Sequence, residues 1–305
     1  MGAKRWFLVG MVGLILCGNT FGRLVVHLKL DETSGNIAPN SSGNGHDGTL
    51  EGNTQWALGG KYTGALQFAG SGAVVLPGSA MGMKSGEGSF ACWINTGTPA
   101  GINTIFWAGD NTTGGGFGPE NEMTVHIEAA GTYWRGGELS FYSPNAFIHS
   151  DPEKGAAASA PVNPVLVSDN QWHHVAAVWS SQENKAQLFI DGKLISQAAY
   201  GPSDFELSYM YLGRMANSTR YYTGLLDDVQ IYSHALSPAE VLLAMAGGRS
   251  AGVATKPSPE DGKTDVPRDT ELSWTAGVYP GTHDVYLGTG FDDVNNASRA
   301  NPGSV

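Results

Sequence analysis

Residues 186–195 are "AQLFIDGKLI", and this stretch decides the fold class of the chain. Two short apolar-rich segments, Gln187–Ile190 and Lys193–Ile195, flank the dipeptide Asp191-Gly192. Both residues of this dipeptide tolerate the positive φ angles that a two-residue turn between antiparallel strands requires. The stretch therefore predicts a β-hairpin.

Similar short segments with period-2 patterning fill the chain from Arg23 to Gly248, separated by glycine-rich turns. The chain of 305 residues has 43 glycines and only 15% charged residues, which favours an all-β protein with many turns. We therefore predict a two-sheet antiparallel sandwich of the jelly-roll type. The further predicted strands are Leu24–Leu30, Ala73–Leu76, Ser89–Asn95, Thr124–Glu128, Glu138–Tyr142 and His173–Trp179.

One short helix is predicted at the end of this domain. Ser237 supplies an N-cap, Pro238 occupies the first helical position and Glu240 completes a capping box, while Gly247-Gly248 ends the helix. Residues Ser150–Pro164, in contrast, have the composition of a long surface loop.

The N-terminus has the pattern of an export signal. Lys4 and Arg5 precede the apolar run Trp6–Cys17, which is short for a membrane span, and small or polar residues follow to Gly22. We expect cleavage near Gly22 and a secreted or cell-surface protein. Two alternatives stay open, a buried helix and a membrane anchor through lipidation of Cys17.

The charge and cysteine content limit the classes of partner. The formal net charge is -11, so nucleic-acid phosphates would be repelled, whereas oxygen-rich acidic surfaces suit hard cations such as Ca²⁺. Removal of the signal would leave Cys92 as a single cysteine. We therefore expect no internal disulfide, and stability from packing or from a metal.

The composition changes after the helix. Residues 249–255 form a predicted linker, and residues 256–305 hold two further strand candidates, Thr270–Thr275 and His283–Gly288. About fifty residues amount to roughly half of a sandwich domain. We therefore predict signal peptide 1–22, a jelly-roll domain 23–248, the linker, and an incomplete second β-sandwich.

Six segments of the first domain carry a resemblance to a known family: "LVVHLKLDETSGNIAPNSSGNGHDGTL", "ALQFAGSGAVVLP", "GSFACWINT", "DNQWHHVAAVWS", "AQLFIDGKLI" and "YTGLLDDVQIYSHALSPAEV". In this order they resemble the laminin-G-like, concanavalin A-like jelly-roll modules of exported bacterial proteins. A fold of this kind serves many binding modules and some enzymes. The tail, through "PSPEDGKTDVPRDTELSWTAG" and "THDVYLGT", is similar to the start of an immunoglobulin- or fibronectin-III-like domain, which implies a fragment of a longer multidomain chain.

The resemblance implies a structural calcium site at one edge of the sandwich. Its expected ligands are Asp31, Asn40, Gly43 and Asp228, because carboxylates, amides and the carbonyls of a glycine-rich loop are ligands that Ca²⁺ takes. Asn40 stands where the loop of the family commonly begins with aspartate, which weakens such a site. The alternative is that Asp31 and Asp228 only bond to turn backbone.

Catalysis has weak support in the sequence. Related glucanases carry alternating carboxylates on one strand, and the nearest pattern here is Glu120-Asn-Glu122 followed by Glu128. Pro119 and Gly118 place the pair in a predicted loop, and a third acidic residue at the required spacing is missing. We therefore predict that the chain is not an enzyme.

Carbohydrate binding is the favoured function. Sugar sites combine aromatic faces with amides and carboxylates, and the strongest such cluster is formed by Tyr133, Trp134, Arg135, Asp110, Asn111 and Glu120. A second cluster holds Tyr221 and Tyr222 beside Asn217 and Arg220. The alternative is that these aromatic rings only cover the ends of the sheets.

These patterns together predict an exported, non-catalytic binding or adhesion module with a structural calcium. Its partner would be a glycan or an extracellular protein surface, and further domains of the same longer chain would accompany it. A structural spacer in a large surface protein is the second hypothesis, and a glycoside hydrolase of this fold is the third.

Overall fold

The structure is a computed structural model that describes residues 24–97, 99–112, 121–130, 136–151, 164–217, 219–247, 255–258 and 273–275. The chain divides into two compact units, Gly22–Gly247 and a second unit made of Met1–Phe21 with Gly248–Val305. The predicted signal peptide and most of the predicted Ser150–Pro164 loop lie outside the described residues.

The unit Gly22–Gly247 is built almost entirely of strands. Its elements in chain order are β1 (Leu24–Leu28), β2 (Ile37–Ala38), β3 (Gly48–Leu58), β4 (Gly64–Leu76), α1 (Gly78–Met81), β5 (Glu87–Asn95), β6 (Asn103–Gly109), β7 (Glu122–Ile127), β8 (Leu139–Ser143), β9 (Ala146–His149), β10 (Trp172–Ser180), β11 (Lys185–Ile190), β12 (Lys193–Ala198), β13 (Tyr209–Leu212), β14 (Thr223–Tyr232) and α2 (Pro238–Met245).

In the other unit the described residues form an antiparallel pair, β15 (Thr255–Ser258) with β16 (Ser273–Thr275). The second of these strands falls within the predicted Thr270–Thr275 segment. An immunoglobulin- or fibronectin-III-like domain here stays a prediction.

The strands follow the order β12-β11-β10-β5-β14-β4-β13-β6-β7-β8-β9, with β1 beside β14 and β3 beside β4. Strand β4 joins the two layers, since its first half pairs antiparallel with β14 and its second half with β13. Gly70 lies between these halves and has a φ of 79°, which glycine adopts readily. The all-β jelly-roll sandwich is therefore confirmed.

Apolar side chains, which alternate with outward-facing ones along the strands, fill the space between the two layers. On β5, Phe90, Cys92 and Ile94 point into the core and are fully buried. Across the core the ring of Phe90 stacks on that of Phe106 of the other layer, with 4.6 Å between centroids. Burial of such side chains supplies about 1.5–3 kcal/mol each, which is why the period-2 pattern predicts this fold well.

The hairpin at the Asp191-Gly192 turn is confirmed. Ile190 pairs with Lys193, and φ is 51° at Asp191 and 75° at Gly192. The carboxylate of Asp191 adds a second function, because Oδ1 accepts the backbone N–H of His174 at 2.9 Å while Oδ2 lies 2.9 Å from Nδ1 of His173. The turn therefore binds the neighbouring strand through its aspartate.

His173 makes stability depend on pH. Its ring lies between Asp191 and Asp169, whose Oδ1 is 3.1 Å from Nε2, and the hydrogen bond to Asp191 is the main cause of a pKa raised from 6.5. The charged ring therefore stabilises the fold fully below pH 6.5, and this contribution is lost as pH rises through the raised pKa. We expect the free energy of unfolding, measured in urea, to fall by no more than about 1 kcal/mol over this pH range. The reason is that Asp169 and Asp191, the partners of His173, are exposed at the surface.

His173→Gln should remove this pH dependence. His234→Gln is the matched control, since Nε2 of His234 lies farther from its carboxylate, at 3.3 Å from Oε1 of Glu240. An unchanged pH profile in the His173 variant would contradict the assignment.

Helix α2 confirms the predicted C-terminal helix. The Ser237 side chain accepts the N–H of Glu240, and the Glu240 side chain accepts the N–H of Ser237, as a capping box requires. Val241 and Ala244 of the helix pack on Ala91 and Ala176, on the outer face of β5 and β10. The helix therefore covers the part of the outer face that Ala91 and Ala176 form.

Within the described parts of the chain, no helix combines the length and apolar character that crossing a membrane requires.

Candidate functional site

A cleft of 770 Å³ opens beyond the part of the outer sheet face that α2 covers. This volume is within the range of sites for small molecules and sugars. Strands β4, β5 and β14 form its floor, and residues 99–102 together with Arg220 and Tyr221 form its walls. Its lining residues are Gln67, Phe68, Ala69, Gly70, Asn95, Thr96, Gly97, Pro99, Ala100, Gly101, Ile102, Asn103, Asn170, Arg220, Tyr221, Thr223, Gly224 and Leu225.

The floor of the cleft is a row of side chains across three strands. Leu225 pairs with Gln67 of β4 on one side and with Asn95 of β5 on the other. Their sequence neighbours Leu226 and Ile94 are fully buried in the core, so strand alternation directs the row outwards. The floor thus combines one apolar side chain with two flanking amides.

Gly224 keeps this floor open. Its φ is +146°, and a Cβ there would lie 2.6 Å from the carbonyl oxygen of Asn95. Real Cβ atoms do not approach so closely, so a larger residue would displace the strand. The neighbouring wall is fixed by Asn103, whose Oδ1 accepts the N–H of Thr223 at 2.8 Å, and by Thr96, whose hydroxyl donates to the carbonyl of Thr223 at 2.6 Å.

Three amide side chains of the cleft have free hydrogen-bonding capacity. In the part of the chain that the structure describes, the side chains of Gln67, Asn95 and Asn170 make no hydrogen bond. Asn170 is held in place by its backbone, whose N–H donates to the carbonyl of Thr96 at 2.9 Å. Tyr221 adds a half-buried aromatic ring to the same cleft. The arrangement can accept and donate hydrogen bonds beside an apolar surface.

Two residues of the second aromatic cluster predicted from the sequence line the cleft, and the other two do not. Tyr221 and Arg220 line the cleft, whereas Tyr222 is fully buried, with its ring 5.7 Å from that of Phe68. Asn217 is exposed and accepts a hydrogen bond from Thr219 outside the lining.

The structure tests only part of the first cluster. Tyr133, Trp134, Arg135 and Glu120 lie outside the described residues. Asp110 and Asn111 are described but do not line the cleft. The Asp110 carboxylate accepts the amides of Asn111 at 2.7 Å and of Asn121 at 2.6 Å. These bonds join the two ends of the β6–β7 connection, and a ligand role for Asp110 and Asn111 stays a prediction.

The amides Gln67, Asn95 and Asn170 were not predicted from the sequence. Alternation around Leu66 and Ile94 could have placed Gln67 and Asn95 on an outer face. It could not have shown which outer positions stay uncovered, because that depends on where α2 and the loops lie.

The carboxylates Glu122 and Glu128 are not available as a catalytic pair. Glu122 lies in β7, not in a loop as predicted, and Glu128 directly follows this strand. Both are buried, and Oε2 of Glu122 accepts the indole N–H of Trp107 at 2.7 Å while Oε1 of Glu128 lies 3.0 Å from Nε2 of His126. Six residues of strand span about 20 Å, well beyond the separation of paired glycosidase carboxylates.

The loop after β2 holds Asn40 in a set of bonds that does not fit a calcium cage. Its Oδ1 accepts the backbone N–H groups of His27 at 2.8 Å and Ser42 at 3.0 Å. Its Nδ2 donates to the carbonyl of Val25 at 3.0 Å and to that of Gly45. The amide oxygen is therefore used, and an NH₂ group occupies the side on which a cation would need oxygens.

The two carboxylates of the predicted calcium set are also bonded. Asp31 accepts the N–H of Gly64 at 3.0 Å, and Asp228 lies 2.7 Å from both Nε2 of His27 and Nε2 of Gln230. Among the described residues no group of three or more histidine, cysteine, aspartate or glutamate side chains is placed to hold a metal. The backbone bond of Asp31 agrees with the alternative to a metal site, whereas Asp228 bonds to two side chains instead of turn backbone. Calcium binding itself stays a prediction.

A family model described as the concanavalin A-like lectin/glucanases superfamily matches residues 68–242 of this chain. The curated proteins give no match. The fold is also similar to that of several solved structures. Their sequence identities to this chain are low, so the similarity concerns the fold alone.

Domain 4 of AbnA, a GH43 extracellular arabinanase from Geobacillus stearothermophilus in complex with arabinotriose, is 18% identical, with a TM-score of 0.51 over 73% of this chain and 98% of that one. The binding domain of Paraclostridial Mosquitocidal Protein 1 is 15% identical, with a TM-score of 0.53 over 76% and 54%. The Trypanosoma rangeli sialidase in complex with 2,3-difluorosialic acid is 15% identical, with a TM-score of 0.51 over 74% and 33%.

Proposed function

Because this chain belongs to the concanavalin A-like lectin/glucanase superfamily, we propose that it is a non-catalytic carbohydrate-binding module whose site is the cleft on β4, β5 and β14. The observation that carries the proposal is the row Gln67–Leu225–Asn95, with Asn170 and Tyr221 beside it. Domain 4 of the arabinanase, which is similar in fold, was solved in complex with arabinotriose, which supports a saccharide as the ligand class.

The chemistry of the cleft suits a sugar ring. Each amide offers one acceptor oxygen and two N–H donors, and each sugar hydroxyl both donates and accepts. The amides of Gln67, Asn95 and Asn170 can therefore bond adjacent hydroxyls, while Tyr221 and Leu225 contact the apolar C–H face of the ring. A volume of 770 Å³ accommodates a short oligosaccharide.

The buried carboxylates support the non-catalytic part of the proposal. Hydrolysis of a glycosidic bond requires two carboxyl groups that reach the substrate. The cleft lining contains neither aspartate nor glutamate among the residues that the structure describes. The proposed ligand is therefore held, not cleaved.

We place the module outside the cell on the basis of the N-terminal pattern of Lys4, Arg5 and the apolar run Trp6–Cys17. Adhesion to a protein surface and a spacer role are the competing functions. A spacer would show no ligand on any glycan array, and a protein-binding module would bind no sugar at the cleft.

Tyr221→Ala is expected to weaken glycan binding about tenfold, because removal of a stacking ring costs about 1 kcal/mol or slightly more. The ligand is first identified on an array of neutral, uronic-acid and sialylated oligosaccharides. The dissociation constant of the strongest oligosaccharide is then measured by calorimetry for the wild-type protein and the variant.

Tyr209→Ala is the matched control. Tyr209 is 41% exposed on β13 and does not line the cleft, so its loss should leave the affinity unchanged. Equal affinities for wild-type protein and Tyr221→Ala would remove the cleft as the site, and an array without any bound sugar would refute the carbohydrate function.

A further inference from the structure

We propose that the cleft binds acidic glycans, and that Arg220 is the residue that receives the carboxylate of the sugar. This inference rests on the proposed function, because it names the class of ligand of the same cleft. It specifies the kind of sugar, which the fold alone does not determine.

The charge of the cleft lining is positive. Among the lining residues that the structure describes, Arg220 is the one residue with a charged side chain, and no aspartate or glutamate is present. The chain as a whole has a net charge of -11. At physiological ionic strength, interactions between exposed charges are screened beyond about 8 Å, so a ligand in the cleft is influenced most by the nearest charge. The lining therefore attracts an anion, although the whole chain is acidic.

Arg220 is held in the wall of the cleft at two points. Its backbone has a φ of 51°, and its carbonyl accepts the N–H of Thr104 at 3.1 Å. Nη1 donates to the sulfur of Met215 at 3.5 Å. A guanidinium has five N–H groups, of which this bond uses one, and its charge is kept whatever other bonds it makes. Because the side chain is half-buried, its position is restricted before a ligand arrives, and less entropy is lost when one binds.

The positive charge of Arg220 persists in the folded protein. Burial lowers its pKa, while attraction to Glu122 and Glu128 acts in the opposite direction. An arginine side chain stays protonated at neutral pH in either case. The carboxylates of both glutamates are held by contacts with other residues, namely Trp107, His126 and Ser140. The charge is therefore present at the cleft wall when a ligand enters.

The amides of the cleft supply the further donors that an acidic sugar needs. Removal of a carboxylate from water is costly unless hydrogen bonds and an opposite charge replace the lost hydration. The side chains of Gln67, Asn95 and Asn170 make no hydrogen bond in the part of the chain that the structure describes, and each amide offers two N–H donors. Bonds from a guanidinium to a carboxylate are about twice as strong as neutral ones. Arg220 and the amides can therefore divide the polar groups of an acidic sugar between them.

The first test compares oligosaccharides with and without a negative charge. The pairs are galacturonate with galactose oligomers and glucuronate with glucose oligomers, which differ only at C6, and sialyllactose with its methyl ester. Calorimetry on the full chain measures the dissociation constants. For any pair that binds, we expect the acidic member to bind at least about tenfold more tightly. Equal or tighter binding of the neutral member in every pair that binds would overturn the inference and leave the carbohydrate function intact.

Arg220→Gln removes the charge and keeps a polar side chain. We expect at least about tenfold weaker binding of the acidic member and less than about a threefold change for the neutral member. Arg220→Lys keeps the charge but lacks the planar fork of the guanidinium, so it should bind the acidic member more tightly than Arg220→Gln does. An equal loss for both members in Arg220→Gln would contradict the inference, because a residue that only shapes the wall affects both alike.

Gln67→Glu decides the question even where Arg220→Gln fails to fold. A carboxylate at this exposed floor position repels an anion, so the acidic member should lose at least about tenfold more affinity than the neutral member. Gln182→Glu is the matched control, since Gln182 is exposed in the β10–β11 turn and does not line the cleft. Equal losses in both variants, or none in Gln67→Glu, would contradict the inference. Absence of binding to every array member would instead refute the proposed function itself.

Discussion

Glu128→Gln is expected to lower the free energy of unfolding by about 3 kcal/mol, because it removes the charge from a buried network that depends on it. Oε1 of Glu128 lies 3.0 Å from Nε2 of His126 and accepts the hydroxyl of Ser140 at 3.0 Å. The same hydroxyl lies 2.9 Å from Nδ1 of His149. A neutral carboxamide makes weaker hydrogen bonds with His126 and Ser140 than the carboxylate does, and these groups are buried where water cannot replace the lost interaction.

The dependence of this effect on pH follows from the direction of the pKa shift. Burial alone would raise the pKa of Glu128, but attraction and hydrogen bonding from His126, the hydrogen bond from Ser140 and attraction from His149 lower it from 4.5. The carboxylate therefore stabilises the fold above pH 4.5, and this contribution is lost as pH falls through the lowered value. The difference between wild type and variant should shrink in the same range.

Urea unfolding of the two proteins between pH 3 and pH 7 measures both predictions. Glu183→Gln is the matched control, because Glu183 is an exposed residue in the β10–β11 turn, where such a change alters stability by about 0.5 kcal/mol or less. A loss in Glu128→Gln no larger than in the control would show that the network contributes little.

Asn40→Ala is expected to lower the free energy of unfolding by about 3 kcal/mol. The carboxamide makes hydrogen bonds with the backbone at His27, Ser42, Val25 and Gly45, and each contributes about 1 kcal/mol. These bonds hold the loop against β1. Asn53→Ala is the control, since Asn53 is exposed and lies outside this set of bonds.

Asn40→Asp tests the calcium prediction on the same residue. The variant keeps an acceptor for His27 and Ser42 but turns an oxygen towards the carbonyls of Val25 and Gly45, which repel it unless a cation lies between them. We expect millimolar Ca²⁺ to raise the melting midpoint of this variant by more than it raises that of the wild type. A rise in the wild-type midpoint, reversed by a chelator, would show that calcium binds despite the Asn40 contacts.

Local chemistry made some elements predictable. The Asp191-Gly192 turn and the Ser237–Glu240 capping box depend on residues within a few positions of one another, and both occur as predicted. Glu122 was misplaced because Pro119 and Gly118 suggested a loop, whereas pairing with Gly109 of β6 extends β7 to Glu122. Pairing with the preceding strand, 13 positions earlier in the chain, overrode the local signal.

The candidate site was predictable only in part. Tyr221 and Arg220 could be selected because aromatic, amide and charged residues are close together in that segment, but Tyr222 beside them belongs to the core. Gln67 and Asn95 carry no local signal of function. They form a site only because β14 brings Leu225 between them.

By itself, the sequence determined the all-β class, the hairpin and the capped helix, since strand alternation, turn residues and caps act over a few positions. Only the tertiary structure decided where a cleft opens on the outer face and which amide side chains of that cleft make no hydrogen bond within the described residues. Those properties depend on contacts between residues more than a hundred positions apart, such as Gln67 with Leu225. The free energy of such contacts is set by burial and pairing in the folded chain, which no local pattern records.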